Sequence, residues 1–250
     1  MMNNMTDTET NSPAWKNLYK IGGVAALIGA AIVPVQTVVF IAWPPPALDA
    51  PVTEWFALLQ NNPFRGLLNL DLMYLVSWIL LIPVLLAQYV ALRRVDEGVM
   101  AVATITGFVA IIVFCTSIVG AEMLFLSNGY MAATTEVERS LYLAAGQAMM
   151  ATYQGTPFHV SLVLGSLALV AISAVMLWSR SFGRVTAWAG IIGNGLALGF
   201  YVPAIGVWLL TASVLPLFGW LLLLGRALLK LSRSVSSQPS SLEERRLFNW

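Results

Sequence analysis

Three side chains could do chemistry in an otherwise apolar chain: Asp71, Glu122 and His159. Two carboxylates and an imidazole are groups that bind a metal or cation, or that pass protons. Their depth follows from the helical rise of about 1.5 Å per residue, counted from the basic residues and turns that mark a membrane face. Asp71 lies 22 residues before Arg93, Glu122 lies 23 after Val99, and His159 lies 21 before Arg180. These separations correspond to about 33, 35 and 31 Å. Against a hydrocarbon thickness of about 30 Å, the three groups share one level at the outer edge.

The functional expectation is that Asp71, Glu122 and His159 converge as an outward-facing polar pocket, lidded by two short amphipathic segments. Set against it is the plainer reading that each is a helix-end residue, where water reaches and an acid costs little. Ligand or ion binding is favoured over catalysis, because no second histidine or HxxxH spacing supports a zinc site. No catalytic residue, metal set or cofactor is therefore assigned. Tyr74 shares a helical face with Asp71 and Trp78, and Glu122 shares one with Cys115, Ile118 and Val119. His159 sits in a first helical turn, where the dipole disfavours an imidazolium. Asn194, flanked by Gly193 and Gly195, lies near mid-depth, about 15 Å from Arg184 at the helical rise. It reads as helix-packing glue, as do Gln36 and Gln88, or with Tyr201 and Pro203 it would line a substrate path. The candidate ligand-binding residues are thus Asp71, Glu122, His159, Tyr74, Asn194 and Tyr201.

The elements that position them follow from composition. The chain has 250 residues, of which 58% are hydrophobic and 10% charged, with a mean hydropathy of +0.79. That is more apolar surface than a soluble domain of this length can bury, so the bilayer is its expected solvent. A net charge of +1 with no arginine-rich motif argues against a nucleic-acid partner. Cys115 stands alone, which leaves no internal disulfide and no CxxC pair.

The predicted fold is all-α, a polytopic membrane protein with six transmembrane helices at about 21–43, 67–92, 99–127, 157–179, 185–210 and 214–231. Residues 1–15 are expected to be a disordered cytoplasmic segment, 16–232 the transmembrane domain, and 233–250 a cytoplasmic tail. Val52, Trp55, Phe56 and Leu59 repeat at i, i+3, i+4, i+7, which predicts a short amphipathic helix on the outer interface. Thr135 and Glu138 have capping-box spacing, which opens a second one, with Val137, Leu141, Ala144, Ala145 and Ala148 as its apolar face. Asn128 and Gly129 read as the turn before it. Gly22, Ala26 and Ala30 form a small-residue stripe, and Ala189 with Gly193 and Gly195 with Gly199 form small-xxx-small pairs. Eleven of the thirteen Lys and Arg fall on one side of this topology, and Arg65 and Arg139 on the other. By the positive-inside rule, both termini are expected in the cytoplasm.

Several functions are excluded. Every lysine lies at a cytoplasmic helix end, so none can hold retinal as a Schiff base. One histidine cannot make a bis-histidine haem, and no CxxCH, P-loop or G-x-S-x-G pattern occurs. A charge-coupled transporter usually keeps an ionisable group at the midplane, and none is expected there.

The stretches LLNLDLMYLVSWILLIPVLLAQYVALRR, SRSFGRVTAWAGIIGNGLALGFYVP and VLPLFGWLLLLGRALL resemble the bacterial integral membrane proteins grouped as domain of unknown function 4386. The resemblance spans about 16–232 and implies a six-helix protein of the bacterial inner membrane, with no activity or site residue attached. The leading expectation is a non-enzymatic multi-pass membrane protein, either an accessory subunit of a membrane complex or a binder of lipid or a small molecule. Its partners would be membrane lipids, together with such a protein or ligand. A small-molecule transporter or channel is the alternative, and an intramembrane enzyme or metal-binding protein using Asp71, Glu122 and His159 is the third.

Overall fold

The computed structural model describes residues 15–70 and 72–236, with side chains described to Ser234. Asp71, the N-terminal segment and the tail beyond Ser236 lie outside the described residues, so what the sequence led us to expect of them is left aside. The described residues form helices and connections, with no strand among them. In chain order the α-helices are α1 Lys16–Ala42, α2 Val52–Asn61, α3 Pro63–Asn69, α4 Leu72–Leu92 and α5 Glu97–Cys115. They continue with α6 Gly120–Ala132, α7 Glu136–Tyr153, α8 Thr156–Met176, α9 Arg184–Leu198 and α10 Gly206–Ser236, with a 3-10 turn at Gly199–Tyr201. Five helical stretches are long and apolar enough to cross a membrane: Lys16–Ala42, Leu72–Leu92, Glu97–Ala132, Glu136–Met176 and Gly206–Ser234.

The helix expected over 67–92 begins at Leu72, with Leu67–Asn69 in α3, the first helix begins at Lys16 and the last spans Gly206–Ser236; three further differences have a local reason. The helix expected over 99–127 breaks at Thr116–Val119. There the Thr116 and Ser117 amides donate to the carbonyls three residues back, and their hydroxyls donate to the same carbonyls of Val113 and Phe114 at 2.7 Å. Hydroxyl bonds of this kind compete with the helical ladder. The expected turn at Asn128–Gly129 is helical, and α6 runs through it to Ala132. The helix expected over 185–210 stops at Leu198, because Pro203 lacks an amide proton and holds Val202 extended, at φ −79° and ψ 121°. Ala204 then takes a positive φ of 66°, and α10 starts at Gly206 and carries Pro216 inside it.

The described residues divide into two compact units, the first made of 15–30, 80–105 and 167–236, the second of 31–70, 72–79 and 106–166. In the first unit helices meet at glycines. A Cβ at Gly22 would stand 2.7 Å from the Ala87 Cβ and 2.9 Å from the Pro83 carbonyl oxygen. Gly23 and Gly225 face each other, since a Cβ on either would stand about 3 Å from the other's carbonyl oxygen: 3.0 Å for Gly23 and 2.9 Å for Gly225. The stripe predicted from Gly22, Ala26 and Ala30 is therefore a packing face, with Ala26 and Ala30 buried. At one end of this unit the Ser232 hydroxyl donates to the Lys16 carbonyl at 3.0 Å, and the Arg93 guanidinium lies 5.8 Å from the Trp15 ring centre. The start of α1 thus meets both the end of α4 and the end of α10.

The second unit is built on large side chains. Val52, Trp55, Phe56 and Leu59 of α2 are buried with Leu70, Val119, Met123 and Met150. The predicted apolar face of α2 exists, but it packs on protein. A Cβ at Gly146 of α7 would stand 2.7 Å from both Phe56 Cζ and Val52 Cγ1, so glycine is what admits α2 there. The capping box at Thr135 and Glu138 forms as predicted. Of the predicted apolar face of α7, Val137 is 70% exposed and Leu141 65%, and Ala145 and Ala148 turn toward α6, while the residues buried in the core are Gly146 and Met150. The helix carries two apolar stripes, and close approach at Gly146 selects the second. Gly129 serves the same purpose, since a Cβ there would collide with the Tyr142 ring.

Candidate functional site

Between α6 and α7 lies an open groove of about 540 Å³. Glu122, Phe125 and Leu126 line it from α6, and Ala145, Ala148 and Met149 from α7. The break at Thr116–Val119 creates it, by placing Glu122 in the first turn of a new helix. Glu122 consequently does not share a face with Val119, which is buried in the core, whereas Glu122 is exposed. Glu122, Phe125 and Leu126 are spaced i, i+3, i+4, so a carboxylate, an aromatic ring and a branched aliphatic chain lie on one helix face. Among the described residues Glu122 has no hydrogen-bond or ion-pair partner; the Arg139–Glu136 ion pair, at 3.2 Å, lies within the start of α7. The second half of α6 is held by Gln60 of α2, whose amide nitrogen donates to Ser127 Oγ at 2.6 Å and to Asn128 Oδ1 at 2.8 Å.

The other candidate residues have separate surroundings. His159 is half-buried on α8, with the Phe158 ring edge-on at 5.3 Å, and is not among the residues lining the groove. Tyr74 on α4 lies with its ring 6.4 Å from that of Phe40. Among the described residues no three His, Cys, Asp or Glu side chains gather as a metal site would require. Asn194 and Tyr201 belong to the first unit. Asn194 is buried, and its amide donates to the Gly190 carbonyl at 2.8 Å, so this bond stays inside α9. Tyr201 lies in the 3-10 turn, 46% exposed, with its ring edge-on to Phe200 at 5.3 Å.

Sequence reasoning missed two features. The groove's apolar wall adds Phe125 and Met149 to the predicted Ala145 and Ala148; neither carries a motif, and the signal for Phe125 was its helical spacing from Glu122. The other is a buried polar node in the first unit, where a Cβ at Gly190 would collide with Ser173 Oγ and stand 2.7 Å from Trp220 Nε1. Both polar atoms are buried without a hydrogen-bond partner among the described residues. Gly195, expected to pair with Gly199, has nothing described within 4 Å, and the close contacts of α9 are made by Gly190 and Gly193. Gln36 and Gln88, expected as glue, are buried with neither amide atom bonded to a described residue.

In comparisons with known proteins, no family model, no curated protein and no solved structure matches the chain.

Proposed function

We propose that the chain is a non-enzymatic multi-pass membrane protein that holds a small, largely apolar molecule in the groove between α6 and α7. The observation that carries this reading is the groove itself, with apolar walls around one carboxylate that no described residue pairs. Binding sites of this size are commonly apolar with a few polar groups that fix orientation. Catalysis has no support, because a lone carboxylate lacks the second acid, base or nucleophile that such chemistry uses.

The proposed setting is a membrane crossed six times, by α1, α4, α5, α8, α9 and α10, with both termini cytoplasmic. α9 has 15 residues, a rise of about 22 Å, which is short of the 30 Å core unless the 3-10 turn completes it. Charge supports its crossing. Arg180 and Arg184 precede α9, while Arg226, Lys230 and Arg233 end α10. Only a crossing by α9 puts both clusters on one side, as the positive-inside rule requires. The Ser232–Lys16 bond agrees, since it joins the first and last described helices at one end. On this topology α6, α7 and their groove are on the outer side. The kinship with domain of unknown function 4386, and with it a bacterial inner membrane, is part of the same proposal.

A reporter series tests the topology. Alkaline phosphatase fused after Ala133 is expected to be active and fused after Ser236 inactive; the reverse pattern would refute it. Filling the groove by Ala145→Phe tests the binding reading, as set out next.

A further inference from the structure

Resting on that reading, we propose that the groove selects an organic monocation with apolar substituents, whose charge is met by Glu122 and the face of Phe125. The argument is one of matching charge. Glu122 is the single ionisable group in the lining, and it lies in the first turn of α6, where the positive end of the helix dipole favours a carboxylate. A cation gives the one charge in the lining a partner, whereas a neutral occupant gives it none and an anionic one would be repelled.

A metal ion fits no better. Ca²⁺ or Mg²⁺ needs about six oxygen ligands, and the lining supplies one carboxylate. A quaternary or otherwise substituted onium ion has the opposite demand. Its charge is spread over apolar groups, so one counter-charge with an aromatic face satisfies it. Phe125 stands three residues from Glu122 on the same helix face and is 71% exposed, with its ring available to the groove it lines. Met149 is a flexible, polarisable wall that adapts to varied shapes, and Ala145 and Ala148 leave room on the α7 side. A volume of about 540 Å³ suits one drug-sized molecule.

Three probes of similar shape but different charge separate the outcomes: tetraphenylphosphonium, triphenylphosphine oxide and tetraphenylborate. They are measured by equilibrium dialysis on the full chain in phosphatidylcholine nanodiscs, with empty nanodiscs subtracted. Tetraphenylphosphonium is expected to bind saturably, with Glu122→Gln weakening it about tenfold, the effect of one charge pair of about 1.4 kcal/mol. Phe125→Ala is expected to weaken it less, and tetraphenylborate should not bind. Ala145→Phe should abolish binding, with an unchanged melting profile showing that the variant folds. Equal binding of phosphonium and phosphine oxide, unaffected by Glu122→Gln but lost in Ala145→Phe, would overturn the charge selectivity and leave the groove as a binding site. Phosphonium binding that survives Ala145→Phe, or no saturable binding of any probe, would overturn both.

Discussion

Gly22, Gly23 and Gly225 bring helices of the first unit against one another's backbone, whereas in the second unit contact is made by Trp55, Phe56, Met123 and Met150. The difference matches the solvent proposed for the helices that meet at those glycines and for α2, α6 and α7, which carry the large side chains. Lipid tails are as apolar as leucine, so apolar burial gives helices little reason to associate there. Small residues gain close dispersion contacts and Cα–H···O approaches instead. Large side chains contribute most where the alternative is water, at about 1.5–3 kcal/mol each on full burial. The second unit gathers such side chains on α2, which is not among the five stretches able to cross a membrane, and on α6 and α7, which the proposed topology places on the outer side. Charge divides the same way, since of the thirteen Lys and Arg the second unit's segments hold Arg65 and Arg139 and the other eleven fall outside them.

Substitutions can break or sharpen this contrast. The largest effect is expected from Phe56→Ala, which leaves a cavity among Val52, Gly146 and Tyr130 and should cost about 4 kcal/mol. Protease accessibility of α2 and α7 checks it, and a cost below about 1 kcal/mol would mean that the aromatic cluster does not hold the second unit together. Next is Gly23→Leu, which drives a side chain into the α10 backbone at Gly225 and should cost about 3 kcal/mol through overpacking. Chemical denaturation in mixed micelles measures it. A tolerated leucine would show that α1 and α10 do not depend on backbone contact, and the contrast between the units would dissolve. The smallest effect, with opposite sign, is expected from Ala204→Gly. It relieves a left-handed backbone at φ 66° and should stabilise the first unit by about 1 kcal/mol. An unchanged or lowered melting temperature would argue that the turn after α9 is not strained.

Much of the second unit was legible because its signals are local. Thr135 and Glu138 lie within one turn and form their capping box whatever else surrounds them. The α2 face was legible by periodicity, but its burial against α6 and α7 was not, since periodicity names a face and not its neighbour. On α7 two stripes met the same criterion, and the choice went to the one containing Gly146, which sequence spacing ranks no higher. The break that makes the groove lies in Thr116 and Ser117, whose hydroxyls can bond helical carbonyls without ending a helix. That is why Glu122 was found as a candidate while the helix carrying it was expected to continue unbroken from Val99.

The sequence alone determined what depends on composition and short spacing: an all-helical chain, stretches apolar enough for a bilayer, basic residues gathered at particular helix ends, and the small-residue face of α1. Tertiary structure decided which glycines touch, so that Gly190 and Gly193 pack while Gly195 faces nothing described. It also decided that Glu122 stands with Phe125 and Met149 in one groove, while His159 has other neighbours. The reason is physical. Helix formation and capping depend on groups within four residues, whereas a contact between helices depends on how side chains distant in sequence fit one another.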